Sequence, residues 1–139
     1  MLITTEIIET TAPIENVWRI WEDVSHWNTW DHGVEFTTIN GPFSTGTTGT
    51  LKPKGGPLVH MKFIQVEPMK LFVTESKLPL AKIIFSHYVE RTAGKTKVTH
   101  QIEMIGPLAF LFSFVIGRGM KKNLPHDMQS LVKQAEGLK

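Results

Sequence analysis

"IFSHYVERTAGKTKVTHQIEM", residues Ile84–Met104, alternates apolar and polar side chains on both sides of Ala93-Gly94. Alternation of period two is the mark of a strand with one buried face, so the stretch reads as two strands joined by a tight turn. A two-residue turn at Ala93-Gly94 sets Arg91 against Thr96, Val89 against Val98, His87 against His100 and Phe85 against Ile102. Both histidines then lie on the apolar face, where valine or leucine is the ordinary choice. Ala-Gly is not the Asn-Gly that two-residue turns prefer. A three-residue loop with Gly94 in a bulge is the alternative, and it places His100 with Tyr88 and Ser86. Apolar matching favours the first register.

The preceding segments extend that face. A turn at Pro79-Leu80 sets Phe72 opposite His87 and Thr74 opposite Phe85. A turn near Pro68-Met69 sets Phe63 opposite Thr74 and Met61 opposite Ser76, with Lys62 across from Glu75 on the solvent side. The inner wall becomes Met61, Phe63, Phe72, Thr74, Phe85, His87, Val98, His100, Ile102 and Met104.

Outward from this core, Leu2–Thr10 is rich in β-branched residues and reads as a strand. Ile14, Val17, Trp18 and Trp21 fall on one helical face, with Pro13 in the first turn and Thr11 as the expected cap. "SHWNTWDHG" reads as a short turn or helix presenting Trp27 and Trp30. Strands are expected at Val34–Ile39, Thr47–Lys52, Leu58–Glu67, Leu71–Leu78, Lys82–Arg91 and Thr96–Ile105. The short connections force antiparallel neighbours. From Gly106-Pro107 onward the pattern is helical, with a kink or split expected at Pro125. The class is α+β: a curved antiparallel sheet whose apolar face only the long last helix can cover. A bent sheet closing on one helix can leave a hollow.

Composition narrows the function. The chain has 139 residues, 41% hydrophobic and 20% charged, with a formal net charge of +2. One domain spanning residues 1–139 is expected. There is no long basic run, so nucleic acid is not an expected partner, although Arg118, Lys121 and Lys122 form a small basic cluster. Cysteine is absent, which removes thiolate metal sites and cysteine nucleophiles and fits a cytoplasmic location. No secretory signal pattern opens the sequence. The most apolar run, "PLAFLFSFVIG" (Pro107–Gly117), is too short to span a bilayer and is expected to be a buried part of a helix. Integral membrane association is therefore not expected.

"TAPIENVWRIWEDVSHWNTWD" resembles the opening of START-like proteins, the SRPBCC superfamily that includes polyketide cyclase/dehydrase-type proteins and the birch-pollen allergen fold. The resemblance rests on Ala12-Pro13, Glu15, Val17-Trp18, Asp23, and Trp27 with Trp30. "VEPMKLF" and "THQIEMIGPLA" are similar to that superfamily's strand ends and its lead into the last helix. It covers essentially the whole chain and implies the helix-grip fold. In that fold seven antiparallel strands wrap a long C-terminal helix, two short helices follow the first strand, and an apolar cavity lies between. Members bind lipids, sterols, polyketides or hormones, and a minority catalyse. The superfamily has no universal catalytic motif, so no catalytic residue carries over.

The histidines admit three readings. They finish a core as neutral, hydrogen-bonded rings; they anchor a ligand's hydroxyl or carbonyl in an apolar pocket; or they bind metal. The third lacks a donor, since His60 points away with Lys62, so no metal site or cofactor is expected. The expected ligand-binding residues are Trp30, Met61, Phe63, Phe72, Phe85, His87, Tyr88, Val98, His100, Ile102, Met104, Phe110 and Phe114. Phe110 and Phe114 stand for the helix's wall, with Leu111 and Val115 nearby, while Gly117 and Gly119 are read as making room. Asp31-His32 is read as a surface turn whose side chains diverge, and Glu103 as facing solvent. The leading expectation is binding of a small hydrophobic or aromatic molecule by a monomer or homodimer. The rivals are a cyclase- or dehydratase-like enzyme using His87 and His100 as general acid and base, and a co-chaperone-like module with an exposed apolar patch on the first helix or around Phe43.

Overall fold

Ala93 and Gly94 both take left-handed backbone angles, φ 53° and 81°. Two successive positive φ values make the turn whose twist matches that of the flanking strands. The tight-turn register therefore holds, with Val89 opposite Val98, His87 opposite His100 and Phe85 opposite Ile102. A left-handed alanine is strained where asparagine is tolerated. Ala93→Asn is expected to raise the unfolding free energy by about 1 kcal/mol, measured by urea denaturation.

The chain is described from a computed structural model covering residues 1–138. Seven strands form one antiparallel sheet in the order β1-β7-β6-β5-β4-β3-β2. They are β1 (Leu2–Thr10), β2 (Val34–Ile39), β3 (Thr48–Pro53), β4 (Val59–Glu67), β5 (Leu71–Leu78), β6 (Ala81–Thr92) and β7 (Lys95–Ile105). The β5–β6 hairpin sets Phe72 opposite His87 and Thr74 opposite Phe85. In β4–β5, Met61 faces Ser76 and Phe63 faces Thr74, and an irregularity shifts the ladder between Phe63 and Gln65. Lys62 does sit across from Glu75, but the Glu75 carboxylate pairs with Lys82 at 3.3 Å. Lys82 is the diagonal neighbour of Glu75 on β6, within reach of a long side chain.

Helix α1 (Ile14–Glu22) follows β1 and buries Val17, Trp18 and Trp21. Thr11 does not cap it: Pro13 holds the N-cap position without a side-chain bond. The work at this corner falls to Thr10. Its hydroxyl accepts the Ala12 N–H at 3.1 Å and donates to Glu136 at 2.7 Å. Asn16 Nδ2 donates to the Ala135 carbonyl at 3.0 Å, so the first helix pins the end of the last one. A 3₁₀ segment, Val24–Thr29, then buries Val24 and Trp27.

The C-terminal helical run departs from expectation twice. It does not split at Pro125, because α3 (Arg118–Gly137) runs through that residue. The irregular stretch lies upstream, where a π-helical segment, Ser113–Gly117, joins the short α2 (Ala109–Phe112) to α3. A π turn shifts the register of a helix's faces. Below the shift α3 buries Leu124, Asp127, Met128, Leu131, Val132 and Ala135. Above it the apolar run is not buried as expected: Phe110, Leu111, Phe114 and Val115 are 65, 53, 51 and 68% exposed. The residues turned inward there are Ala109, Phe112, Ile116 and Gly117. Ala109 is buried, and a Cβ added at Gly117 would meet Ile3 of β1 at 3.4 Å. Gly117 thus permits close helix–strand approach and does not make room for a ligand, while a Cβ at Gly119 would meet open space.

Candidate ligand site

Aromatic packing fills one half of the space between sheet and helix. Phe72 lies within 5.1–5.7 Å of the rings of Phe43, Trp21 and Trp27, and Trp18 touches Phe43 at 5.5 Å. Phe63 completes the group, 5.2 Å from Phe43. Phe43 is half-buried and packs against the core.

The other half is hollow. A cavity of about 180 Å³ lies between β3–β7 and α3, with Asp31, Gly33 and Pro53 among its lining residues. Of the residues expected to bind ligand, Trp30, Met61, Phe85, His87, His100 and Ile102 line it, together with Thr74 and Ser76. Phe63, Phe72, Val98 and Met104 are buried core beside it. Tyr88 is 39% exposed on the outer face, opposite Leu71 and Thr99, because strand alternation turns it away from His87. Phe110 and Phe114 lie on the outer side of the helical run, so the wall assigned to them is supplied by Met120, Asn123, Leu124 and Asp127. The signal for those four is an ordinary i, i+3, i+4, i+7 spacing, one stretch downstream of the more apolar run.

His87 and His100 face each other with ring centroids 4.5 Å apart, and Phe72 stacks on His87 at 3.9 Å. Among the described residues, His87 Nδ1, His100 Nε2, Trp21 Nε1 and Trp30 Nε1 are buried without a hydrogen-bond partner. Burial, reinforced by the neighbouring His100, holds His87 well below the usual imidazole range. Burial pushes His100 down to about 3. Both rings are neutral at physiological pH, and each has a nitrogen without a protein partner. Unclaimed buried polar atoms are costly unless something satisfies them.

Asp31 and Asp127 on the cavity wall belong to a group that local sequence does not reveal. His32 Nδ1 lies 2.8 Å from Asp127 Oδ1, which also accepts the His32 backbone N–H at 3.1 Å. His126 packs against the His32 ring at 4.6 Å. Asp31, partly exposed as a residue, has its carboxyl enclosed at the cavity wall, where Oδ1 accepts the Gly33 N–H at 3.1 Å. Enclosure and the adjacent Asp127 carboxylate raise its pKa to about 7. Asp31-His32 is thus no simple surface turn: both residues converge on Asp127. Among the described residues, no group of three or more His, Asp or Glu is placed to hold a metal ion, and His60 is exposed.

A seven-stranded sheet gripping a C-terminal helix over a hollow defines the START-like, helix-grip class. The chain belongs to the family described as polyketide cyclase / dehydrase and lipid transport, whose sequence profile matches residues 1–136. Solved structures agree on the fold. A hypothetical protein from Helicobacter pylori superposes with a TM-score of 0.77 at 13% identity, over 94% of this chain and 86% of its own. Ara h 8.0201 gives 0.75 at 11% identity over 97% of each chain. The Zhui aromatase/cyclase from Streptomyces sp. R1128 gives 0.70 at 12% identity, over 96% of this chain and 92% of its own. No curated protein sequence matches this chain. Among the described residues, no helix is long and apolar enough to cross a membrane.

Proposed function

We propose that the chain binds a small, mainly apolar molecule of about one ring in the hollow between sheet and α3. The observation that carries this reading is an apolar cavity of about 180 Å³ lined by His87, His100 and Trp30, each of which has a buried ring nitrogen without a protein partner. That volume compares with the cavity of roughly 150 Å³ that accommodates benzene, and lies below the ~300 Å³ where drug-sized pockets begin. Size therefore favours a single ring or short branched chain over the full-length lipid or polyketide the family description suggests. His87, His100 and Trp30 supply donor and acceptor atoms for one hydroxyl or carbonyl on the ligand, and the neutral imidazoles favour an uncharged one.

A second reading follows from Asp31. As a general acid–base pair the histidines are poorly matched, since groups titrating far below neutrality are weak bases at neutral pH. Asp31, titrating near 7 on the cavity wall, is the better-matched proton carrier. The family description and the Zhui aromatase/cyclase likeness make dehydration or ring closure of a small substrate the reaction class to test. In that case Asp31→Asn removes turnover while leaving ligand affinity intact.

Calorimetric titration with phenol, indole and larger fused rings tests the binding reading. Saturable binding that favours the smaller rings is expected. Leu124→Trp, which projects into the cavity, is expected to abolish it with little change in stability, because the added ring fills existing space. Absence of saturable binding, or binding untouched by Leu124→Trp, overturns it.

A further inference from the structure

The most apolar run of the sequence turns four of its large side chains to solvent. Phe110, Leu111, Phe114 and Val115 all stand out from the α2–π segment. Their neighbours extend the surface. Leu80 is exposed, and its carbonyl accepts the Leu108 N–H at 3.2 Å, while Ile105 is exposed at the end of β7. Single exposed apolar residues are ordinary, but a contiguous group with two phenylalanines marks an interaction surface.

The charges beside this surface indicate what it meets. Arg118, Lys121 and Lys122 are exposed on the turns that follow, and the Arg118 guanidinium lies 5.2 Å from the Phe114 ring centroid. The sequence contains no Asp or Glu between Glu103 and Asp127. Glu103 itself is engaged by Gln101 Nε2 at 2.6 Å. A second copy docking on the same face through two-fold symmetry sets these cations against each other. An anionic lipid surface instead receives the phenylalanines among its acyl chains and the cations among its headgroups.

We infer that this face, Phe110, Leu111, Phe114 and Val115 with Arg118, Lys121 and Lys122, docks the protein reversibly on anionic lipid bilayers. The contact is peripheral, since the run lies along the surface and is too short to span. It does not depend on what the cavity holds.

Co-sedimentation of the ligand-free protein with phosphatidylcholine vesicles, with and without phosphatidylglycerol, tests the inference. The protein is expected to pellet with the anionic vesicles and to be released by high salt. Phe110→Ser with Phe114→Ser is expected to weaken binding about tenfold or more, with circular dichroism unchanged because both side chains are exposed. Lys121→Glu with Lys122→Glu is expected to remove the preference for anionic vesicles. Failure of the unaltered protein to bind anionic vesicles overturns the inference. So does undiminished binding by the serine variant, or light scattering that shows a dimer which the serine variant dissolves.

Discussion

Urea unfolding followed from about pH 6.5 down to about pH 4 is expected to show stability falling by about 1.4 kcal/mol per pH unit from three buried groups. His87 and His100 titrate near 6.5 when unfolded and well below that when folded. In this window the unfolded chain binds two protons that the native protein refuses, so acidification favours unfolding. Asp31 works the other way. Its pKa rises from 3.8 to about 7 on folding, so the native state holds a proton that the unfolded chain has released. Two protons against one leave a net of one. Asp31→Asn removes the offset and is expected to about double the acid slope. His87→Gln with His100→Gln leaves only the carboxyl, and the slope is expected to change sign, with stability rising as the pH falls. A double variant that keeps the original slope contradicts the burial and neutrality of the two rings.

The second large effect falls on Trp21. Its ring is fully buried and lies 5.2 Å from Phe72, 5.7 Å from His87 and 5.8 Å from His100. It joins α1 to the centre of the sheet, and no flexible neighbour stands ready to fill its place. Trp21→Ala is expected to lower the unfolding free energy by about 3–5 kcal/mol, a large fraction of a small domain's stability. Trp21→Phe is expected to cost distinctly less. It keeps most of the packing and deletes an indole N–H that has no protein partner. Equal losses in the two variants contradict the packing role assigned to the ring.

What the sequence revealed and what it concealed follow from the range of the interactions involved. The hairpins were legible because alternation and tight turns are local: the Ala93-Gly94 turn and the apolar pairs Val89–Val98 and Phe85–Ile102 set the histidine register together. The aromatic face of α1 was legible for the same reason. The face of the last helix was not. Phe110 and Phe114 look like core because they are apolar, yet the residues of that run that turn inward are Ala109, Phe112, Ile116 and Gly117. A π turn then redirects the faces, which no local pattern announces. Asp31 and Asp127 are separated by most of the chain and meet only through the fold, so the carboxyl on the cavity wall had no local sign. Pro125 does not split the long helix, which runs through it from Arg118 to Gly137.

Whether the space beside the paired imidazoles accepts a molecule is answered most directly by a crystal soaked in phenol. The predicted result is a ring held between Leu124 and Ile102, its hydroxyl within hydrogen-bond distance of His87 Nδ1, His100 Nε2 or Trp30 Nε1. A hollow closed by collapsed side chains, or a ring found only outside it, contradicts the account.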